Sequence, residues 1–238
     1  MKNNLFICIL LLIFLDSKGQ DNKPKFGFQY KPIIPSQYFN SSHVEKASGA
    51  YKFNLEPKYS NSFGMILRQK INKTFIIESG LNYTQRNHKL IINNNILNIN
   101  DFTSFGIRSY ELPIQLLTYV RASKLWYLNV AFGISQNILA SDIVSYGEIT
   151  DAYYQNTYRR SGGYRAMLAN LGMEYRTQQK GTYYIGASLH LPWTEIGRIY
   201  PRYEDDNNSF NDQNFDEKFF LEITGTFITI DLRYFFNE

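Results

Sequence analysis

Tyr183-Tyr184-Ile185-Gly186-Ala187-Ser188-Leu189-His190-Leu191-Pro192-Trp193 alternates with period two. Tyr183, Ile185, Ala187, Leu189, Leu191 and Trp193 fall on one face, and Tyr184, Gly186, Ser188 and His190 on the other. A helix would scatter these residues around its circumference, whereas a strand sorts them.

The same sorting recurs in seven further segments. Phe26, Phe28 and Tyr30 oppose Gly27, Gln29 and Lys31; Phe63, Met65, Leu67 and Ile71 oppose Gly64, Arg68 and Lys70. Phe75, Ile77, Leu81 and Tyr83 oppose Glu78, Gly80, Asn82 and Thr84, and Tyr110, Leu112, Ile114 and Leu116 oppose Glu111, Pro113 and Gln115. Leu128 to Ile134, Met167 to Tyr175 and Ile228 to Phe236 complete the set, with Glu174, Arg176, Asp231 and Arg233 on their polar faces. Ile66 and Leu168 sit on polar faces, and Leu221 and Ile223 fall out of phase with Ile228 and Ile230. A bulge near Gly225 would restore that phase, because a bulge shifts alternation by one residue. Tyr51 to Leu55 either extends the second strand or forms a short one of its own.

The connections alternate between short and long. Turns are expected at Asn72-Lys73, at Ala122-Ser123 and over residues 178–181; long connections are expected over residues 35–61, 93–107, 142–163 and 197–218. Outer-membrane barrels have this asymmetry, with short periplasmic turns and longer outside loops. The expected fold is therefore all-β: an eight-stranded antiparallel up-and-down transmembrane β-barrel with four long outer loops.

Alternation alone leaves open which face is inside, since a lipocalin-like soluble barrel inverts the arrangement. Three features favour lipid outside. Gly27, Gly64, Gly80, Gly133, Gly172 and Gly186 share the polar face, where a narrow interior needs small residues among charged ones. Trp126 lies beside a short turn and Trp193 beside a long loop, and with Tyr234 and Phe236 they are the expected interface aromatics. Last, an alternating strand of Ile230, Leu232, Tyr234 and Phe236 nearly ends the sequence.

Leu5 to Leu15 is an almost unbroken apolar run behind Lys2, too short to span a bilayer as a helix and suited to a signal peptide over residues 1–19, followed by the barrel over 20–238. The only cysteine, Cys8, lies within it, so thiol chemistry and disulfides are not expected in the remainder. Without Lys2, Asp16 and Lys18 the stated 25 basic and 21 acidic residues become 23 and 20, a balance that argues against nucleic-acid binding.

The Lys25–Phe26–Gly27–Phe28 opening strand, the Tyr110–Glu111–Leu112–Pro113–Ile114 segment and the aromatic last strand resemble the PorT-like outer membrane protein β-barrel domain family, small outer-membrane barrels of Bacteroidetes-type bacteria. The resemblance implies the bacterial outer membrane as location and, for some members, a link to protein secretion.

The polar faces collect Lys31, Arg68, Lys70, Glu78, Glu111, Glu174, Arg176, Asp231 and Arg233. An eight-stranded barrel has room inside for side chains and little else, so these charges are expected to pair in a lumen closed to solutes. Tyr153, Tyr154, Tyr158, Arg159 and Arg160 are types favoured at interfaces and mark the third long loop as a contact candidate. His190 is expected to bond a lumen carboxylate; with Ser188 and Glu195 it also offers the residue types of a nucleophilic triad, without the geometry. The acidic stretch from Glu204 to Glu217 lacks the spacing of a calcium loop, and neither a metal nor a cofactor is expected. The expected function is non-enzymatic: a monomeric barrel in outer-membrane lipid that serves envelope structure or a surface or secretion complex through its loops and a protein partner. The alternatives are a lipid hydrolase or acyltransferase, and a soluble lipocalin-like ligand carrier.

Overall fold

A computed structural model describes residues 23–35, 43–72, 74–95, 98–150, 152–203 and 219–237. The signal peptide expected over residues 1–19 and the acidic stretch between Glu204 and Glu217 lie outside the described residues. The strands are β1 (Lys25–Ile34), β2 (Val44–Ser48), β3 (Tyr51–Pro57), β4 (Ser60–Lys70), β5 (Phe75–Asn94), β6 (Ile99–Arg121), β7 (Trp126–Leu139), β8 (Ile143–Tyr146), β9 (Tyr153–Arg159), β10 (Gly163–Arg176), β11 (Thr182–Pro192), β12 (Gly197–Tyr203), β13 (Leu221–Ile223) and β14 (Phe227–Phe235).

Ten strands form an antiparallel sheet in the order β2-β3-β5-β4-β1-β14-β11-β10-β7-β6, and β5 also pairs with β6. Eight of them, β1, β4, β5, β6, β7, β10, β11 and β14, thus each have two partners within the set, and the pairing returns on itself. These are the eight segments that alternation marks. Tyr51 to Leu55 forms its own short strand: β3 pairs with the upper half of β5 while β4 pairs with its lower half. The register shifts by one residue between them, from Pro57↔His88 to Asn61↔Gln85, and the Lys58 N–H still reaches the Asn87 carbonyl at 2.8 Å.

The short turns lie together at one end. Asn72 Oδ1 accepts the Thr74 and Phe75 amides at 2.8 Å each, which mimics a backbone turn. The Ala122 and Ser123 amides both reach the Trp126 carbonyl, and the Thr177 amide reaches Gly181.

The other end departs from the expectation of four long loops. Residues 93–107 are almost wholly strand: β5 and β6 continue as one hairpin of 20 and 23 residues. The connections over 35–61, 142–163 and 197–218 supply β2, β3, β8, β9 and β12, and a second, four-stranded sheet forms in the order β13-β12-β9-β8. Period-two patterning in these stretches is short and broken by turn residues, so it does not stand out against irregular chain.

Burial decides which face is inside. Phe132 and Leu171 on the apolar faces are 65% and 62% exposed, whereas Glu174 and Asp231 on the polar faces are 0% exposed. The apolar faces point out and the polar faces in, which rules out the lipocalin-like arrangement. Ile66 and Leu168, anomalous in sequence, are buried inside; Ile66 packs with Tyr184 and Phe235.

The inward face changes character with height. Along β5 the even residues all point inward: Ile76, Glu78, Asn82, Thr84, Arg86 and His88, then Leu90 and Ile92. Along β6 the odd residues do the same, from Leu117, Gln115, Glu111 and Ser109 to Ile107 and Phe105. The polar lumen therefore gives way, on the same strand face, to an apolar core. That core joins Tyr51, Phe53 and Leu55 of β3 to Tyr153, Ile199, Leu221 and Ile223 of the second sheet. The expected bulge at Gly225 is corrected by this. Leu221 and Ile223 keep the inward parity of Thr229 and Asp231 but face the apolar level; between them the chain leaves one sheet for the other through Gly225, whose φ of 75° suits glycine.

One close approach fixes lumen packing. Gly172 and Gly186 are register partners, and the Tyr184 ring lies across them. A Cβ at either position would collide with the Tyr184 hydroxyl. Tyr184 is held there: its hydroxyl donates to Asn170 Oδ1 at 2.7 Å and the Arg233 guanidinium sits over its ring at 4.6 Å. Gly172→Val is expected to cost about 1–3 kcal/mol through overpacking. A urea-unfolding midpoint unchanged from wild type would refute that role for the glycine pair.

Candidate functional site

The lumen brings most of the charges that alternation places inside into one network. Glu78 bridges two arginines, with Arg68 Nε at 2.6 Å and Arg233 Nη1 at 2.5 Å. Glu174 receives Arg68 Nη1 and Asn129 on one oxygen and Arg176 at 2.9 Å on the other. Asp231 holds Arg233 Nη2 at 2.6 Å, accepts Ser188, Thr229 and Asn170, and lies 3.7 Å from Lys31. Glu111 accepts Asn82 at 2.8 Å. Each carboxylate thus faces a cation or several donors, as buried charge requires. Asn82, Asn129 and Asn170 are as integral as the ions; their inward parity was the available signal, but neutral amides do not stand out in a search for charge.

Two lumen expectations need correction. Lys70 is exposed at the short-turn mouth, because its strand ends there and it lies below the carboxylates. His190 is not hydrogen-bonded to a carboxylate: its Nδ1 lies 4.0 Å from Glu111 Oε1, and neither ring nitrogen has a hydrogen-bond partner among the described residues. Packing holds it instead, stacked on Tyr164 and edge-on to Phe227 at 4.4 Å. Ser188 donates to Asp231, and Glu195 pairs with Arg160 and Arg198 in the second sheet's surround, so Ser188, His190 and Glu195 are not brought together. Arg86, left out because the alternating residues were followed only as far as Thr84, also points inward, donating Nη1 to the Gly225 carbonyl at 2.9 Å.

The far side of the second sheet collects aromatic and basic side chains. Register places Tyr146 beside Tyr154 and Arg202, and Tyr158 beside Arg198 and Glu222. Tyr146 and Tyr154 rings lie 5.9 Å apart, and Tyr158 and Tyr200 rings 5.7 Å apart. Of the loop contact candidates, Tyr154 and Tyr158 lie on this face. Tyr153 does not: strand alternation turns it into the apolar core, fully buried, where desolvation and then Asp101 raise its hydroxyl well above the ordinary pKa. Arg159 and Arg160 engage in local pairs, with Asp142 at 2.9 Å and Glu195 at 3.3 Å. The Arg159 amide, more than its guanidinium, holds the Asp142 carboxyl below its usual range. Asp101, unmarked in sequence, pins the neighbouring turn by accepting the Ile149 and Thr150 amides at 3.1 Å each.

The interface aromatics divide by height. Trp126, Tyr234 and Phe236 are outward at the short-turn end, where Trp126 packs on Tyr175 at 4.9 Å and Tyr234 on Tyr183 and Phe236 at 5.2 Å each. Trp193 is outward at the opposite end of β11. Among the described residues no three His, Cys, Asp or Glu side chains gather as metal ligands.

No protein-family model matches the chain, and no curated protein matches it. Solved structures do. The outer membrane protein OprG from Pseudomonas aeruginosa aligns with a TM-score of 0.53 at 11% identity, over 91% of this chain and 98% of that one. The outer membrane protease OmpT from Escherichia coli aligns at 0.33 and 9% identity, over 92% and 99%. An outer membrane channel from Pseudomonas putida F1 aligns at 0.29 and 11%, over 93% and 97%. The first of these defines the class by fold: this chain has the architecture of an outer-membrane β-barrel protein.

Proposed function

We propose that this chain is a monomeric bacterial outer-membrane protein whose eight-stranded up-and-down barrel is closed to solutes, and which works without catalysis. It meets an envelope or surface partner through the Tyr146, Tyr154, Tyr158 and Tyr200 face of its second sheet. The observation that carries this reading is the apolar core stacked on a polar, ion-paired lumen. A solute would have to cross both. The exposed apolar belt between two levels of aromatic side chains supports a lipid surrounding, because only a closed barrel or a helix satisfies backbone groups in hydrocarbon. The resemblance to PorT-like barrels favours a secretion or surface complex as the setting.

Two measurements test it. Purified protein in planar bilayers is expected to give no steady conductance; a stable open level would overturn the closed barrel. Tyr146→Cys is expected to react with a membrane-impermeant maleimide on intact cells. Labelling only after outer-membrane permeabilisation would reverse the orientation.

A further inference from the structure

We propose that the short-turn mouth of the barrel is a binding site for a phosphate-class anion. A cavity of about 270 Å³ opens there, and five of its lining residues are cations: Lys23, Lys25, Arg68, Lys70 and Arg176. One carboxylate, Glu174, faces them, and both of its oxygens are already taken by Arg68, Asn129 and Arg176. Among the described residues the three lysines make no ion pair. Arg68 is 6% exposed and its Nη2 has no hydrogen-bond partner among the described residues.

The site is built, not merely charged. Lys25 is the register partner of Arg68 across β1 and β4, and Lys70 follows two residues along, so three cations line one wall. On the opposite side the Arg176 guanidinium is clamped between Tyr119 at 4.3 Å and Tyr127 at 3.9 Å. Arg68 lies over the Phe235 ring at 3.8 Å. Ordered guanidiniums supply fixed forks and the lysines adjustable point charges, a combination suited to a small multivalent oxyanion. A peptide carboxylate brings a single negative charge to five cations, whereas a phosphate-class anion brings two or more and three or more acceptor oxygens. The phosphate can come from a soluble phosphate ester or from a lipid headgroup. The site itself does not depend on the function proposed above; only its compartment, the periplasm, rests on that orientation.

The test is calorimetric titration of inorganic pyrophosphate into the protein in maltoside micelles, which contain no phosphate. Saturable binding is expected, and about ten-fold weaker binding by Lys25→Gln/Lys70→Gln, which removes two charge-assisted contacts. Lys124→Gln/Lys180→Gln, on turns outside the cavity, should bind like wild type. Heat-dependent gel mobility verifies that each variant is folded. Phosphatidylglycerol added to the micelles separates the sources: competition with pyrophosphate points to a headgroup, and no competition to a soluble phosphate. Absence of saturable binding by wild type, or equal binding by the cavity variant, would overturn the proposal. Neither result bears on conductance or surface labelling, so the two readings fail separately.

Discussion

Glu78→Ala is expected to destabilise the barrel by about 3–5 kcal/mol, the cost of leaving buried charge without its partner. Glu78 is the only carboxylate that bridges Arg68 and Arg233 within hydrogen-bond distance among the described residues. Removing it leaves Arg233 with Asp231 and Arg68 with Glu174, two carboxylates that already accept from Asn170 and Asn129. Glu78→Gln retains one acceptor oxygen and should lose less. The measurement is urea unfolding in phosphatidylcholine vesicles followed by the fluorescence of Trp126 and Trp193. A loss below about 1 kcal/mol would place Arg68 and Arg233 in the range of solvated surface pairs. The lumen would then be wet, and the closed-barrel reading would weaken with it.

Phe53→Ala should be comparably costly, about 3–5 kcal/mol, but in a different place. Phe53 is 1% exposed in the apolar core above the lumen, stacked on Tyr51 and 5.1 Å from Phe219. Its loss opens a cavity between β3 and the second sheet, far from the ion pairs below. The expected signature is uncoupled: protease cleavage appears in the segments around β8, β9 and β12, while the heat-dependent gel shift of the barrel persists. Planar-bilayer conductance should stay silent, because the ionic lumen is a second seal. A variant that never acquires the gel shift would mean that the apolar core and the barrel fold as one cooperative unit.

The wall of the barrel was legible from sequence because one side of it is uniform. Residues such as Phe28, Phe132 and Ile185 repeat every second position wherever the chain faces out, so alternation locates eight of the ten strands of the main sheet and misses β2 as a strand. The interior was legible only in part. Charged positions like Glu78 and Asp231 identify themselves by parity, but what they touch depends on which strands become neighbours. Glu78 and Arg233 lie 155 residues apart. The upper storey was least legible. Leu90, Ile92, Leu221 and Ile223 look like phase errors if the inside is assumed polar throughout; they are in phase, and the interior changes around them. Tyr153 was misassigned for the same reason, since a buried loop aromatic and an exposed one have the same appearance until a sheet is known to cover one side.

The unbroken β5–β6 hairpin has a mechanical consequence. A force applied to the far end of the hairpin pulls along the axis of two strands that continue into the wall. Hydrogen bonds between antiparallel strands lie across that axis. The load on β4–β5 and β6–β7 is therefore shear, shared by many bonds at once, not a zipper that opens one rung at a time. Tension applied at the upper end of β5 and β6 therefore spreads into the barrel wall as a distributed load.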